Sequence, residues 1–178
     1  IKVSDDRGQQ KVASEGSWSP DRVKIDTMDT ITFATTDSPI GKLTVAARGS
    51  KVCLVHFGPL SKAVRAALAA WYPEAKVEPA DDPGGVVSVL TRYFGGELTS
   101  LNEVEVELHG TPFQQRVWNA LRTVAAGTTT SYAQLAGRVG APAAVRAVGA
   151  ANGANPVAVV LPCHRIIGSN GSLTGYGG

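Results

Sequence analysis

The sequence predicts an α+β fold in two parts, a strand-and-helix half followed by a half built of helices. Three observations lead there. From Thr30 onward, short β-branched runs are separated by tight turns, the pattern of an antiparallel meander. After Gly110 the apolar period lengthens to that of helices, and two Ser/Thr-x-x-Gln boxes mark helix starts. Charge divides at the same place. Residues 1–109 hold 12 Lys/Arg and 15 Asp/Glu, a net of −3, whereas residues 110–178 hold five arginines and no acid, a net of +5.

In the first half, Thr30–Thr36, 42–48 and Lys51–Phe57 read as three strands, the first two joined by a Pro/Gly turn at 37–41. Val64, Ala67, Leu68 and Trp71 recur at helical spacing, so 60–72 reads as a helix that Pro73 ends. Residues 76–85 are rich in Pro, Asp and Gly and read as a loop. Val86, Val89, Leu90 and Tyr93 place a second helix at Val86–Phe94. Val104, Val106 and Leu108 alternate with acids, which predicts a strand with one wet face. Residues 1–27 read as a polar, poorly ordered leader, with Met28, the only methionine, as the native start. The expected domains are therefore 28–108 and 109–178.

In the second half, Thr111, Pro112 and Gln114 supply an N-cap, a proline at the first helical position and a capping-box glutamine. Phe113, Val117, Leu121 and Val124 mark the buried face of that helix. Ser131 and Gln134 repeat the box and open a short helix to Val139, which Gly140 stops. A third helix is predicted over 142–152, made largely of Ala and Gly, with Arg146 as its one charge. The last two helices read as a helix-turn-helix. Residues 157–161 form a short apolar run, suited to a buried strand or extended segment that delivers Cys163.

Several classes are excluded or disfavoured. Two cysteines make no disulfide framework, so a reduced, cytoplasmic compartment is expected. No run is long enough to span a membrane and no secretory signal is present, so no membrane partner is expected. Cys53, His56, His109, Cys163 and His164 lack tetrahedral metal spacing, and neither a metal nor a cofactor is expected. Cys53 fits a small core residue, and His109 a surface residue at a strand end. Cys163 differs, because Pro162 precedes it and His164 and Arg165 follow. Cationic neighbours lower a thiol pKa and favour the nucleophilic thiolate, and His164 is placed to act through a water. The acid-free second half suits a polyanionic partner; a small Ala/Gly-rich domain that is basic by chance is the alternative.

"PCHRI", preceded by Asn155-Pro156 and followed by "GYGG", resembles the active-site segment of the O6-alkylguanine-DNA alkyltransferases. The likeness continues upstream through "AVRAVGAANGANP", "SYAQLA" and "GTPFQQRVWNALRTV". Residues 110–178 match nearly end to end, and residues 30–108 match in layout, including "TDSPIGKLTVAA".

The resemblance implies a ribonuclease-H-like α/β domain followed by a winged-helix-like helix-turn-helix domain that carries the cysteine. It implies repair of O6-alkylguanine in double-stranded DNA by irreversible alkyl transfer, with the damaged base flipped out. O4-alkylthymine, the size range of the alkyl group and assembly along DNA are left open; a monomer is expected. By the same resemblance Cys163 is the acceptor and His164 takes its proton through water. Tyr132 protonates the departing guanine at N3. Arg146 fills the gap left by the base, and Ser169 touches DNA. Asn155 is a hinge, and Pro162, Arg165, Gly175, Tyr176 and Gly177 shape the active site and base pocket. Family members continue past "GYGG" into a helix whose glutamate orients the histidine. Because the chain stops at Gly178, truncation and a weakened alkyltransferase are expected. A non-catalytic alkyltransferase-like lesion binder is the alternative, and a transcriptional regulator ranks third.

Overall fold

The computed structural model describes residues 30–172. The expected leader at 1–27, together with Gly175, Tyr176 and Gly177, lies outside these residues.

Strands β1 (Thr30–Thr36), β2 (Leu43–Arg48) and β3 (Lys51–Phe57) form the predicted antiparallel meander. Helix α1 (Lys62–Trp71) begins where the Ser61 hydroxyl accepts from the Val64 N–H, an N-cap that satisfies one orphan donor of the first turn. It crosses the sheet to β4 (Lys76–Pro79), which lies parallel to β1 and completes the order β3-β2-β1-β4. The loop expected over 76–85 therefore starts with a strand. Only Val77 of β4 is even half-buried, so the strand has no apolar alternation to reveal it, and its edge position tolerates Pro79.

The two faces of the sheet are buried separately. Ile31, Ala46, Cys53 and Leu54 pack beneath Val64, Leu68 and Tyr72 of the α1 region. Leu43, Val45, Ala47, Val52 and Val55 face the other way, toward α2 (Val86–Phe94), and join one continuous core with the second half. Pairing of β2 with β3 shifts at Ala46/Ala47, which leaves Cys53 as the extra residue of a bulge. Val52 and Val55 both consequently turn their backbone polar groups to the outer edge.

That edge is shared. The Val52 N–H donates to Glu105 O at 2.9 Å, and the Glu107 N–H donates back to Val52 O at 2.9 Å. The strand expected over 104–108 is thus a single bridge, Val52 to Val106. Three residues further along, the same edge is taken by residues 156–158, so no second rung can form.

In the second half, α3 (Pro112–Leu121) and α4 (Tyr132–Arg138) both start with complete capping boxes, at Thr111/Gln114 and Ser131/Gln134. Gly140, at φ 72°, closes α4, with the Ala141 N–H reaching Ala136 O at 2.9 Å. Helix α5 (Val145–Gly153) starts later than predicted, because the Ala144 N–H is committed to Ala141 O in a separate turn. Trp118 ties α3 to α5: its indole Nε1–H donates to Ala151 O at 2.7 Å. Gly110 is required beside it, since a Cβ there would lie 2.5 Å from the Trp118 ring. Two short strands, β5 (Thr130–Ser131) and β6 (Ile166–Ile167), pair in parallel. Among the described residues, no helix is long and apolar enough to cross a membrane.

Candidate active site

The β5–β6 ladder is what brings the site together. It fixes the residues just before Tyr132 against those just after Cys163, whose own chain positions lie far apart. The segment leading to the cysteine is held from both halves. The Val55 N–H donates to Pro156 O at 3.0 Å, and the Ala158 N–H donates to Val55 O at 2.9 Å. Asn155 accepts from the Val157 N–H at 3.0 Å through Oδ1 and donates from Nδ2 to Leu161 O at 2.8 Å. Residues 157–161 are buried, as expected, but they form successive turns and no strand. Val159 has φ 69°, the one non-glycine residue with positive φ among those described. A β-branched residue in that region stores strain of about 1–3 kcal/mol.

Cys163 opens a short 3-10 turn, Cys163–Arg165, after the buried Pro162. Cys163 is 8% exposed, and burial pushes its thiol pKa up; a hydrogen bond from the Asn155 side chain and nearby backbone groups offset this only in part. The expectation that cationic neighbours lower this pKa is therefore reversed. Arg165 is turned to other work, donating to Val124 O at 2.8 Å and to Tyr93 Oη at 3.3 Å. His164 keeps an exposed ring whose pKa is lowered, first by partial removal from water and then by the charge of Arg165. The neutral imidazole that results can accept a proton. It borders an apolar hollow of about 360 Å³ with Ile40, Phe57, Tyr93, Phe94 and Val159.

Tyr132 occupies the first turn of α4 and is 8% exposed. Its hydroxyl is buried without a hydrogen-bond partner among the described residues. Its ring faces the backbone of Gly149 on α5. Arg146 is exposed in the first turn of α5. The other four arginines of this half bond a carbonyl or hydroxyl or stack on a ring, while Arg146 has no such partner among the described residues. Ser169 is exposed in the turn that closes with the Gly168 N–H on Ser172 O at 2.7 Å.

One residue at the site went unread in the sequence. Asn152, 1% exposed at the end of α5, donates from Nδ2 to Cys163 O at 3.3 Å, while its Oδ1 has no partner among the described residues. The available signal was a polar amide in a helix that apart from Arg146 is made of apolar residues and glycine, three positions before Asn155.

Outside the site, Cys53 is fully buried and its thiol is pushed up to about 11, chiefly by burial. His109 is not a surface residue. It is half-buried, 2.7 Å from Tyr72 Oη and 3.2 Å from Glu107 Oε1, and its ring stacks on Trp71. Glu107 in turn holds Arg48 through two hydrogen bonds, which draws the segment onto the first half. Among the described residues, no group of three or more His, Cys, Asp or Glu is placed to hold a metal ion.

Two family models match the chain. The 6-O-methylguanine DNA methyltransferase ribonuclease-like domain matches residues 31–108, and the DNA binding domain of the same family matches residues 112–178. The chain is 49% identical over 151 residues to a methylated-DNA–protein-cysteine methyltransferase of Mycobacterium tuberculosis, covering 83% of this chain and 85% of that one. It is 54% identical over 99 residues to the protein of the same name in Salmonella typhimurium, covering 56% and 58%. Among solved structures, it is similar to Mycobacterium tuberculosis OGT in complex with DNA, with TM-score 0.67, 46% identity and coverage of 82% and 83%. A Pyrococcus kodakaraensis O6-methylguanine-DNA methyltransferase shares the fold at 23% identity, with TM-score 0.57 and coverage of 83% and 92%.

Proposed function

The chain belongs to the 6-O-methylguanine DNA methyltransferase family, and from that membership we infer direct-reversal DNA repair by transfer of a methyl group from O6 of guanine to a cysteine of the protein. Its partner is DNA. Cys163 is the acceptor in this account. The observation that carries it is a buried thiol whose peptide is gripped on both sides by asparagine amides, beside a neutral-leaning imidazole and tied through the β5–β6 ladder to a phenol that has no partner among the described residues.

The chemistry follows from those groups. At neutral pH the thiol is protonated, and His164 takes its proton through a water. The thiolate sulfur forms a bond to the methyl carbon as the carbon–O6 bond breaks, and the electron pair leaves with guanine. The purine needs a proton as it departs, and the buried Tyr132 hydroxyl, without a partner among the described residues, supplies it at N3. A thioether carries no good leaving group, so each molecule reacts once. To reach the thiol the base must leave the stack, at a cost of a few kcal/mol, and Arg146 on the small-residue helix α5, exposed and without a side-chain partner among the described residues, is placed to offset it by filling the gap. Pro162 and Arg165 shape the backbone behind the thiol, and Ser169 meets the DNA. Both cysteines among the described residues are free, in keeping with a reduced, cytoplasmic setting.

Mass spectrometry after exposure to duplex DNA bearing O6-methylguanine tests the assignment. The peptide containing Cys163 should gain the mass of one methylene group, and Cys163→Ala should bind the duplex without reacting. Binding by the intact chain with no mass gain on any peptide would replace this reading with the non-catalytic lesion binder.

A further inference from the structure

We propose that Asn152 is a positioning residue, which transmits the seating of helix α5 on DNA to the peptide that carries the reactive sulfur. The proposal rests on Cys163 being the methyl acceptor.

Three features of the contact point to function over stability. The first is the orphaned half of the amide. Oδ1 is buried with no partner among the described residues, and burying an unpaired acceptor costs about 1–3 kcal/mol. A leucine would avoid that cost. The second is redundancy on the other side. Cys163 O already accepts from the Ile166 N–H, so the carbonyl does not depend on Asn152 for a partner. The third is placement. Asn152 and Asn155 donate to Cys163 O and Leu161 O, the two carbonyls that flank Pro162. Asn155 acts from beyond the end of α5, whereas Asn152 acts from within it.

That difference gives Asn152 its role. Six residues along the same helix from Arg146, about 9 Å at the helical rise, it shares a rigid body with the residue that meets the DNA. Trp118 holds the end of that body through Ala151 O. A small rotation of α5 on the duplex therefore reaches the Cys163 peptide directly through the Asn152 amide. Asn155 holds the segment whether or not α5 moves.

The test uses Asn152→Leu in the full chain. The first-order transfer constant is measured at saturating O6-methylguanine duplex, beside duplex affinity, thermal stability and the pH profile of Cys163 reaction with iodoacetamide. The expected result is transfer slowed about tenfold, the effect of losing one hydrogen bond to the Cys163 peptide. Affinity should be unchanged, the melting temperature equal or higher, and the iodoacetamide profile unmoved, because the amide touches the carbonyl and not the sulfur. Transfer at the wild-type rate would overturn the proposal. So would a rate loss accompanied by a lower melting temperature, or a parallel shift in the iodoacetamide profile. Asn152→Met, equally apolar but more flexible, repeats the test if leucine does not fit, with the same outcomes. Failure of the parent chain to methylate Cys163 would instead refute the acceptor assignment itself.

Discussion

The Val55 N–H donates to Pro156 O at 3.0 Å, and Val55 O accepts from the Ala158 N–H at 2.9 Å, so the outer strand of the first half carries the segment that leads to Cys163. Residues 30–108 thus brace the segment that leads to Cys163. The edge of β3 is the abutment against which the turns at 157–161 are folded, and against which the strained Val159 is held.

The abutment can be removed on one side at a time. Val55→Pro deletes the N–H that reaches Pro156, and Val52→Pro deletes the one that reaches Glu105. Each should lower stability, because it removes one backbone hydrogen bond from the edge of β3. Only Val55→Pro should slow methyl transfer in the molecules that remain folded. Single-turnover rates measured well below each melting temperature check this. Equal slowing by both would mean that general loosening, not this contact, sets the rate.

Tyr132→Phe separates stability from catalysis. The hydroxyl is buried and has no partner among the described residues, so its removal should leave stability unchanged or raise it slightly. Transfer should fall by about 10²–10³-fold, within the range for a general acid. A chemical-denaturation midpoint and a transfer rate, taken together, check both directions. A less stable variant that reacts at the normal rate would make Tyr132 a packing residue.

The two thiols predict distinct pH behaviour. Burial raises the pKa of Cys163, so the thiolate fraction, and with it the transfer rate, should keep climbing with pH through and beyond neutrality. A plateau near pH 7 would contradict the raised pKa. Cys53, pushed to about 11, acts on stability. Its folded pKa exceeds the unfolded one, so its contribution is fully present below the ordinary thiol range and is lost as pH rises through about 11. Cys53→Ala should flatten the alkaline fall in stability, as followed by denaturant titration across that range.

What the sequence disclosed was local. Thr111/Gln114 and Ser131/Gln134 announced their helices because a capping box is complete within four residues. What it concealed depended on distant partners. Lys76–Pro79 is a strand only because β1 offers it an edge. Val106 makes one bridge and no strand because residues 156–158 claim the rest of that edge. The rise in the Cys163 pKa follows from burial by both halves and from Arg165 pointing to Val124 and Tyr93, neither of which adjacency in the chain could indicate. Asn152 was hidden for the same reason, since its partner lies eleven residues away across a turn.

Arg146 offers the sharpest test of how α5 meets DNA. It is exposed and, among the described residues, bonds nothing, so its replacement by alanine should leave the fold untouched. If the guanidinium fills the space of a flipped base, Arg146→Ala should slow transfer from a duplex by about tenfold, since part of the few kcal/mol of unstacking is no longer offset. Transfer from a single-stranded oligonucleotide, where little stacking is lost, should fall much less. If it also neutralises one phosphate, the slope of log binding constant against log salt should become shallower by about one. Equal slowing on both substrates would remove the gap-filling role and leave a simple phosphate contact. An unchanged duplex rate together with an unchanged salt slope would mean that α5 does not carry the DNA at all.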